Sequence, residues 1–397
     1  MLALSACGLA TTVPVVIELG ACSRALALQA ACSLRLYPIV SRDWIARITA
    51  QVCRNPSLAT VFRDLFDFGG QEIYFVALPE WLSGHRILDA VRSVRSAVVI
   101  GVRRPSGVEL APDPQAILTI DDDLIVIAEM ADAARLVKTG TSLTTNQELK
   151  SQVAFSSEPD HISIIGWSKL GARLVEQLSV FLRSGSRIDV LSEEAEDVWE
   201  GIGPHEYDLT HMVGDATDAS VLRGFLAADS IDRVVVLADR SFGTDAEAEA
   251  RILLTVLELR RLDLAQSARV VAERLDARDV DLISGHGSEE FIIGDHLTCQ
   301  LMAQLAEDVT VSDVFDALLA VDGPEIGVIA IESGGDPGEE TTFRSLLEHL
   351  IAQGLYLIGV RRDSKVVLNP DQDATIHLAS GDELIVVRPE PRRQATD

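Results

Sequence analysis

His161-Ile162-Ser163-Ile164-Ile165-Gly166-Trp167-Ser168-Lys169-Leu170-Gly171 is a short apolar, β-branched run broken by a glycine turn. It predicts a buried first strand that ends at Gly166. The helix that follows carries Leu170, Leu174, Val175, Leu178, Phe181 and Leu182 on one face. Strand, glycine turn and helix form the context that gives a GxGxxG-type turn meaning, because N–H groups at the helix start face an anion. Here Ser168 stands at the middle glycine. Its Cβ crowds the approach of a pyrophosphate and weakens the case for a dinucleotide.

Downstream, Arg187-Ile188-Asp189-Val190-Leu191 reads as a second strand. A ribose-gripping acid at its end is replaced by Ser192, and Glu193 and Glu194 follow, a shift of one residue that changes the face. His211-Met212-Val213-Gly214-Asp215-Ala216-Thr217-Asp218 supplies a third strand and its turn. Asp218 is read as the cap of a helix at 221–225, which leaves Asp215 to face a ligand cleft. Val234-Val235-Val236-Leu237-Ala238-Asp239 is a fourth strand, followed by a helix from about Ala246 to Arg261. Val270-Val271-Ala272-Glu273 and Phe291-Ile292-Ile293 complete six. This alternation predicts an α/β fold with a doubly wound parallel Rossmann-like sheet over residues 160–300. Its cleft lies beyond the carboxyl ends of the strands, where Gly166, Ser168, Glu193, Asp215 and Asp239 would converge, with Gly171 shaping the turn.

Around this unit the chain nearly repeats itself. Val61-Phe62, Glu72-Ile73, Ile100-Gly101-Val102-Arg103-Arg104, Leu110-Ala111-Pro112-Asp113 and Leu124-Ile125-Val126-Ile127 return in order. Their counterparts are Val314-Phe315, Glu325-Ile326, Ile358-Gly359-Val360-Arg361-Arg362, Leu368-Asn369-Pro370-Asp371 and Leu384-Ile385-Val386-Val387. The offset grows from 253 to 260, as small loop insertions would make it. Val15-Val16-Ile17-Glu18 likewise precedes Val270-Val271-Ala272-Glu273, but nothing before it matches residues 160–269. Repeats of this size are whole domains, so the chain reads as a tandem repeat with a truncated first copy. Residues 1–60 are then the end of a first Rossmann lobe and 61–137 a small α+β lobe. A linker rich in Ser, Thr, Gln and Asn follows at 138–159, then the complete lobe at 160–300 and a second small lobe at 301–397. About 95 to 110 residues of first lobe, roughly four βα units, have no counterpart. The expectation is a fragment, a misplaced start or completion by a separate polypeptide, with an exposed apolar edge in residues 1–50.

The charge balance excludes one class of partner. Thirty-four Lys and Arg against 61 Asp and Glu give a net charge of −27. That argues against nucleic-acid binding and favours solubility, cation attraction or basic partners, although a generally acidic proteome explains it equally well. Five cysteines (Cys7, Cys22, Cys32, Cys53, Cys299) without CxxC spacing point to a reduced compartment and not to zinc. No window reaches the roughly 18 to 20 apolar residues of a membrane span. Leu4-Ser5-Ala6-Cys7 mimics a lipoprotein box, but three preceding residues cannot hold a signal peptide. The acidic turns Asp121-Asp122-Asp123 and Asp382-Glu383 offer carboxylates to a hard cation, yet lack an EF-hand pattern and read more readily as solvated turn tips.

Gly214-Asp215-Ala216-Thr217-Asp218 after a Rossmann strand resembles the RCK (regulator of K+ conductance, TrkA-N type) domains. The closer resemblance is to the CASTOR/POLLUX/SYM8 ion-channel family. Ile164-Ile165-Gly166-Trp167-Ser168 and Leu237-Ala238-Asp239-Arg240-Ser241 are similar to its first-strand and fourth-strand segments. Arg35-Leu36-Tyr37-Pro38-Ile39-Val40-Ser41, Asn55-Pro56-Ser57-Leu58 and the stretch from Pro112-Asp113 through Asp123–Glu129 resemble the end of a first RCK Rossmann lobe and its C-terminal lobe. The likeness runs from about residue 13 to 390. It implies a cytosolic gating module at the inner face of a membrane, joined to a cation-channel pore. It further implies two RCK units per subunit and four subunits in a gating ring. The ligands it implies are NAD(H), another adenine nucleotide or Ca2+, held by Gly166, Trp167, Ser168, Gly171, Glu193, Asp215 and Asp239; no metal ligands are assigned.

Three rival readings follow from the same residues. A soluble TrkA-type, NAD-binding subunit would regulate a separate K+ transporter. A hydrolase would need a nucleophile elbow, but Leu170 stands where the elbow needs glycine, and His286 has no acid partner. A nicotinamide oxidoreductase would need a substrate domain with an acid and base set, and none accompanies the Rossmann unit. The sequence reading is therefore non-catalytic.

Overall fold

The computed structural model describes residues 13–19, 35–55, 57–67, 70–138, 151–152, 159–193, 202, 205, 207–227, 231–239, 243–262, 268–275, 289–320, 323–331, 341–362 and 365–389. Glu194, Arg240, Ser241, His286 and the Leu4–Cys7 stretch fall outside them.

From the amino end, β1 (Val15–Glu18) and β2 (Leu36–Ile39) pair in parallel. They lead into α1 (Ser41–Arg54) and α2 (Leu58–Phe66). The first small lobe is β3 (Glu72–Ala77), α3 (Ile87–Ser93), β4 (Ala97–Arg104), β5 (Gly107–Leu110) and β6 (Asp123–Ala128). Its antiparallel sheet has the order β3-β6-β4-β5.

The complete Rossmann lobe follows. Its elements are β7 (His161–Ile165), α4 (Lys169–Ser179), β8 (Arg187–Ser192), β9 (Asp208–Val213) and α5 (Ala219–Phe225). Then come β10 (Arg233–Val236), α6 (Asp245–Arg261), β11 (Arg269–Arg274), β12 (Glu290–Ile293) and α7 (Gly294–Glu307). All six strands are parallel in the order β9-β8-β7-β10-β11-β12. The order reverses between β7 and β10, which sets a topological switch point there. Ile165, Val234, Val236, Val270 and Ala272 form the core on one face, closed by Leu222 of α5 and Ile252, Val256 and Leu259 of α6. Central strands buried on both faces are why β7 and β10 read as unbroken apolar runs.

The second small lobe is α8 (Val311–Leu318), β13 (Glu325–Ile331), α9 (Phe343–Ile351), β14 (Tyr356–Arg362), β15 (Lys365–Leu368) and β16 (Glu383–Arg388). Its sheet order, β13-β16-β14-β15, is that of the first lobe. The copies share finer detail. Both break register before Gly101 and Gly359, and both place a residue in the left-handed region, Ala111 and Asn369 at φ 43°. Ser151–Gln152, read from sequence as linker, adds a two-residue strand to the edge of β13. An unpaired strand edge recruits whatever backbone can extend beside it.

Contacts divide the chain into two units, residues 1–59 with 156–307 and residues 60–155 with 308–397. In the first, α1 packs along α4. Asp43 lies 3.3 Å from Arg173, and the Arg54 guanidinium sits 4.1 Å above the Phe181 ring. Helix α7 packs against both β1 and α1. Cys53 is fully buried in α1, and burial pushes its thiol up to about 12, so it is inert as a nucleophile.

In the second unit the two small lobes face each other. Phe66 and Phe315 meet at 4.9 Å between ring centroids, and the Tyr356 hydroxyl donates to Pro112 O at 2.7 Å. Gln372 Nε2 donates to Ala97 O at 2.6 Å. Asn369 Nδ2 donates to Gln71 Oε1 at 2.9 Å and to Ser96 O at 3.1 Å. Asn369→Ala removes these bonds and puts a less tolerant residue at positive φ. Urea unfolding is expected to show a loss of about 1–3 kcal/mol. A midpoint unchanged from wild type would refute this account of the lobe contact.

Candidate functional site

The site grows from the glycine turn after β7. Gly166 has φ +83°, and its N–H donates to Leu191 O at 2.8 Å. A Cβ at this point would stand 2.3 Å from Leu237 O. The turn therefore lies between the ends of β8 and β10. Above it opens a small, shallow cleft, continuous with solvent. Ile165, Leu191, Val236, Leu237, Ala248 and Ile252 give it apolar walls. Its polar groups include Glu193, Thr217, Asp239, Arg251 and Thr255. Apolar walls with a few convergent polar groups are the usual make-up of a small-molecule site.

The sequence-predicted residues divide here. Gly166, Glu193 and Asp239 line the cleft, and Asp215 stands at its rim beside the lining residues Gly214, Ala216 and Thr217. Ser168, expected at the cleft, caps α4 by accepting from Leu170 N at 3.2 Å. Trp167 turns onto the helix, where a Cβ on Gly171 would come 2.7 Å from the indole Cε3. Gly171 thus makes room for that ring. Asp218 caps α5, with Ser220 N donating at 2.7 Å, as its spacing predicted.

Ser192, at the usual ribose-acid position, is buried and hydrogen-bonded to His211 Nε2 at 2.8 Å. Burial pushes the His211 imidazole below its ordinary pKa and favours the neutral ring. Glu193 comes next and carries the acidic function into the cleft. Asp215 is ordered by its own turn, accepting from Thr217 N at 2.8 Å and Thr217 Oγ1 at 2.7 Å.

Sequence reasoning missed Arg251. It stands on α6 beside Ala248, Ile252 and Thr255 and reaches across the cleft. Its Nη2 pairs with Glu193 Oε1 and with Asp215 Oδ1, the latter at 2.9 Å. A basic residue bordering the apolar stripe of a cleft-facing helix was the available signal. Helix α6 is fastened along its length. Thr244 and Glu247 form a capping box at its start. Glu249 pairs with buried Arg274 and accepts Leu275 N at 2.8 Å. Arg260 holds Glu289 through two bonds of 2.8 and 2.9 Å.

In the acidic turns of the small lobes Asp121 is exposed, whereas arginines engage Asp123, Asp382 and Glu383. Arg103 Nε donates to Asp123 at 3.0 Å, Arg361 to Glu383 at 2.7 Å and Arg362 to Asp382 at 2.6 Å. Asp122 and Asp382 are buried, and the Arg362 hydrogen bond holds the Asp382 carboxyl below its ordinary range. Among the described residues no group of three or more His, Cys, Asp or Glu is placed to hold a metal ion.

Together the doubly wound lobe, the paired small lobes and the repeat define a tandem RCK-type fold. The human SLO3 gating ring has this fold: the match covers 96% of this chain and 82% of that one, with a TM-score of 0.69 at 12% identity. The sequence comparisons add a likeness to one group of ion channels. Residues 42–144 match the family model described as Castor and Pollux, part of voltage-gated ion channel. A probable ion channel POLLUX of rice (Oryza sativa subsp. japonica) is 25% identical over 88% of this chain and 40% of its own length. The ion channel CASTOR of Lotus japonicus is 24% identical over 84% of this chain and 44% of its own length. The chain is thus a relative of the CASTOR/POLLUX/SYM8 ion channels, similar to them across most of its residues, and it spans less than half of their length. No helix among the described residues is long and apolar enough to cross a membrane.

Proposed function

We propose that this chain is the ligand-sensing regulatory region of a cation channel or transporter, working on the cytosolic side of the membrane against a pore of the same or a separate polypeptide. The reading is non-catalytic. Its ligand is a nucleotide, NAD(H) among the candidates, or Ca2+, and its assembly is a ring of four. Leu254 and Leu257, each more than half exposed on α6, offer apolar surface for self-association. One observation carries the reading: the switch-point cleft is walled on one side by α6, whose ion pairs reach the ends of β8, β9 and β11. A ligand held better in one placement of α6 shifts the population toward that placement by the difference in affinity. Across sites such coupling is typically about 1–3 kcal/mol.

Calorimetric titration of the full chain with NAD(H), ATP, ADP and Ca2+ tests the sensing role, and light scattering on the same sample tests the ring. Saturable heat with at least one ligand and a mass of several chains are expected. A thermally silent titration with all of them removes the sensing role, and a monomeric mass removes the ring.

A further inference from the structure

The cleft contains its own cation. Glu193 and Asp215, on the ends of two adjacent strands, converge on a single guanidinium nitrogen of Arg251. Among the described residues lining the cleft, Arg251 is the one that carries positive charge. Two carboxylates at such spacing would otherwise invite a divalent cation. A guanidinium tethered to α6 competes at an effective concentration that free ions reach only in the millimolar range or above.

The customary anion site of a Rossmann lobe is screened at the same time. The Ser168 hydroxyl takes Leu170 N, and the Trp167 indole lies over Gly171 in the first turn of α4. A phosphate entering this cleft therefore has to find its counter-charge elsewhere. Arg251 supplies it. Its backbone stays fixed, because Glu249 and Arg260 anchor α6 on either side, while its side chain is about a third exposed and can exchange partners.

We propose that Arg251 is the specificity-determining residue of the cleft, selecting a phosphorylated ribonucleoside over a bare divalent cation; the proposal rests on reading the cleft as the ligand site. The ligand's phosphate takes the guanidinium in a charge-assisted pair. Glu193, released, then accepts from the ribose hydroxyls, as an acid at the end of a second Rossmann strand does. Ile165, Leu191, Val236 and Ile252 give the base apolar walls.

The test is calorimetry on the full chain with ADP and, separately, CaCl2, using wild type, Arg251→Ala, Arg251→Lys, Glu193→Gln and the double variant Arg251→Ala/Glu193→Gln. Circular dichroism checks that each is folded. Wild type is expected to bind ADP and to give no saturable heat with about 1 mM Ca2+. Arg251→Ala should weaken ADP about 10- to 100-fold, the scale of one charged hydrogen bond, and gain a Ca2+ response. Arg251→Lys should retain most of the ADP affinity, and the double variant should lose the gained Ca2+ response. ADP affinity within twofold of wild type in Arg251→Ala overturns the role of Arg251 while leaving the cleft as a ligand site. Wild-type Ca2+ binding that Glu193→Gln abolishes overturns it too. Failure of wild type to bind ADP removes this role alone; failure to bind any of NAD(H), ATP, ADP and Ca2+ removes the reading beneath it as well.

Discussion

Replacing Gly166 by alanine is expected to destabilise the Rossmann unit by about 2–5 kcal/mol and to abolish the ligand binding proposed for the cleft. Two costs add. The positive φ charges any L side chain about 1–2 kcal/mol, and the new methyl would stand 2.3 Å from Leu237 O, a backbone atom that cannot swing aside. Relief requires β7 and β10 to part at the floor of the cleft, so binding should fall with stability. Gly185 in the same unit separates the two effects. It has φ +87°, but a Cβ there meets nothing closer than Pro159 Cγ at 3.6 Å, an ordinary contact. Gly185→Ala should therefore lose only about 1–2 kcal/mol and keep its ligand affinity. Thermal and urea unfolding followed by circular dichroism measure the stability losses, and calorimetry with ADP measures the affinities. Equal losses in the two variants would mean that close approach of strands at Gly166 contributes nothing.

Much of this architecture was legible because its signals are local and periodic. The β7 run, the glycine turn and the helix beginning at Lys169 lie within one stretch of chain, and 3.6-residue spacing of Leu170, Leu174 and Leu178 declares the buried face. The repeat was legible for a related reason. The break before Gly101 and Gly359 and the left-handed Ala111 and Asn369 are demands of one backbone made twice, so similar residues recur. The site was legible only in part. Strand ends announced Glu193, Asp215 and Asp239, because a parallel sheet gathers those ends at one edge. Arg251, which neutralises two of them, comes from a helix far along the chain, and no spacing rule links it to Glu193. Trp167 and Ser168 misled in the opposite sense. Sequence position put them at the cleft, whereas the cap and indole packing of α4 engage them instead. The acidic turns misled because their arginine partners lie across the sheet, on β4 and β14.

Asp189 is where loss of a single charge should cost the Rossmann sheet most. It sits in the middle of β8 with its side chain 5% exposed. Arg187 Nε donates to it at 2.7 Å, His161 Nε2 lies 2.8 Å away and the Thr210 hydroxyl bonds it from β9. One carboxylate thereby ties three neighbouring strands. Burial alone would raise its pKa, but the hydrogen bonds from Arg187, Thr210 and His161 prevail and hold it below the ordinary range. A carboxyl depressed in this way stabilises the fold only while ionised. Its contribution is fully present above the unfolded value of about 3.9 and disappears as pH falls through the lower folded value. Asp189→Asn is therefore expected to lose about 2–4 kcal/mol at pH 7, discounted because half-exposed Arg187 regains water. The gap to wild type should close as acid protonates Asp189. Urea midpoints measured from pH 7 down to about 3 decide it. A gap that keeps its size across that range would show that shape, and not charge, makes Asp189 matter.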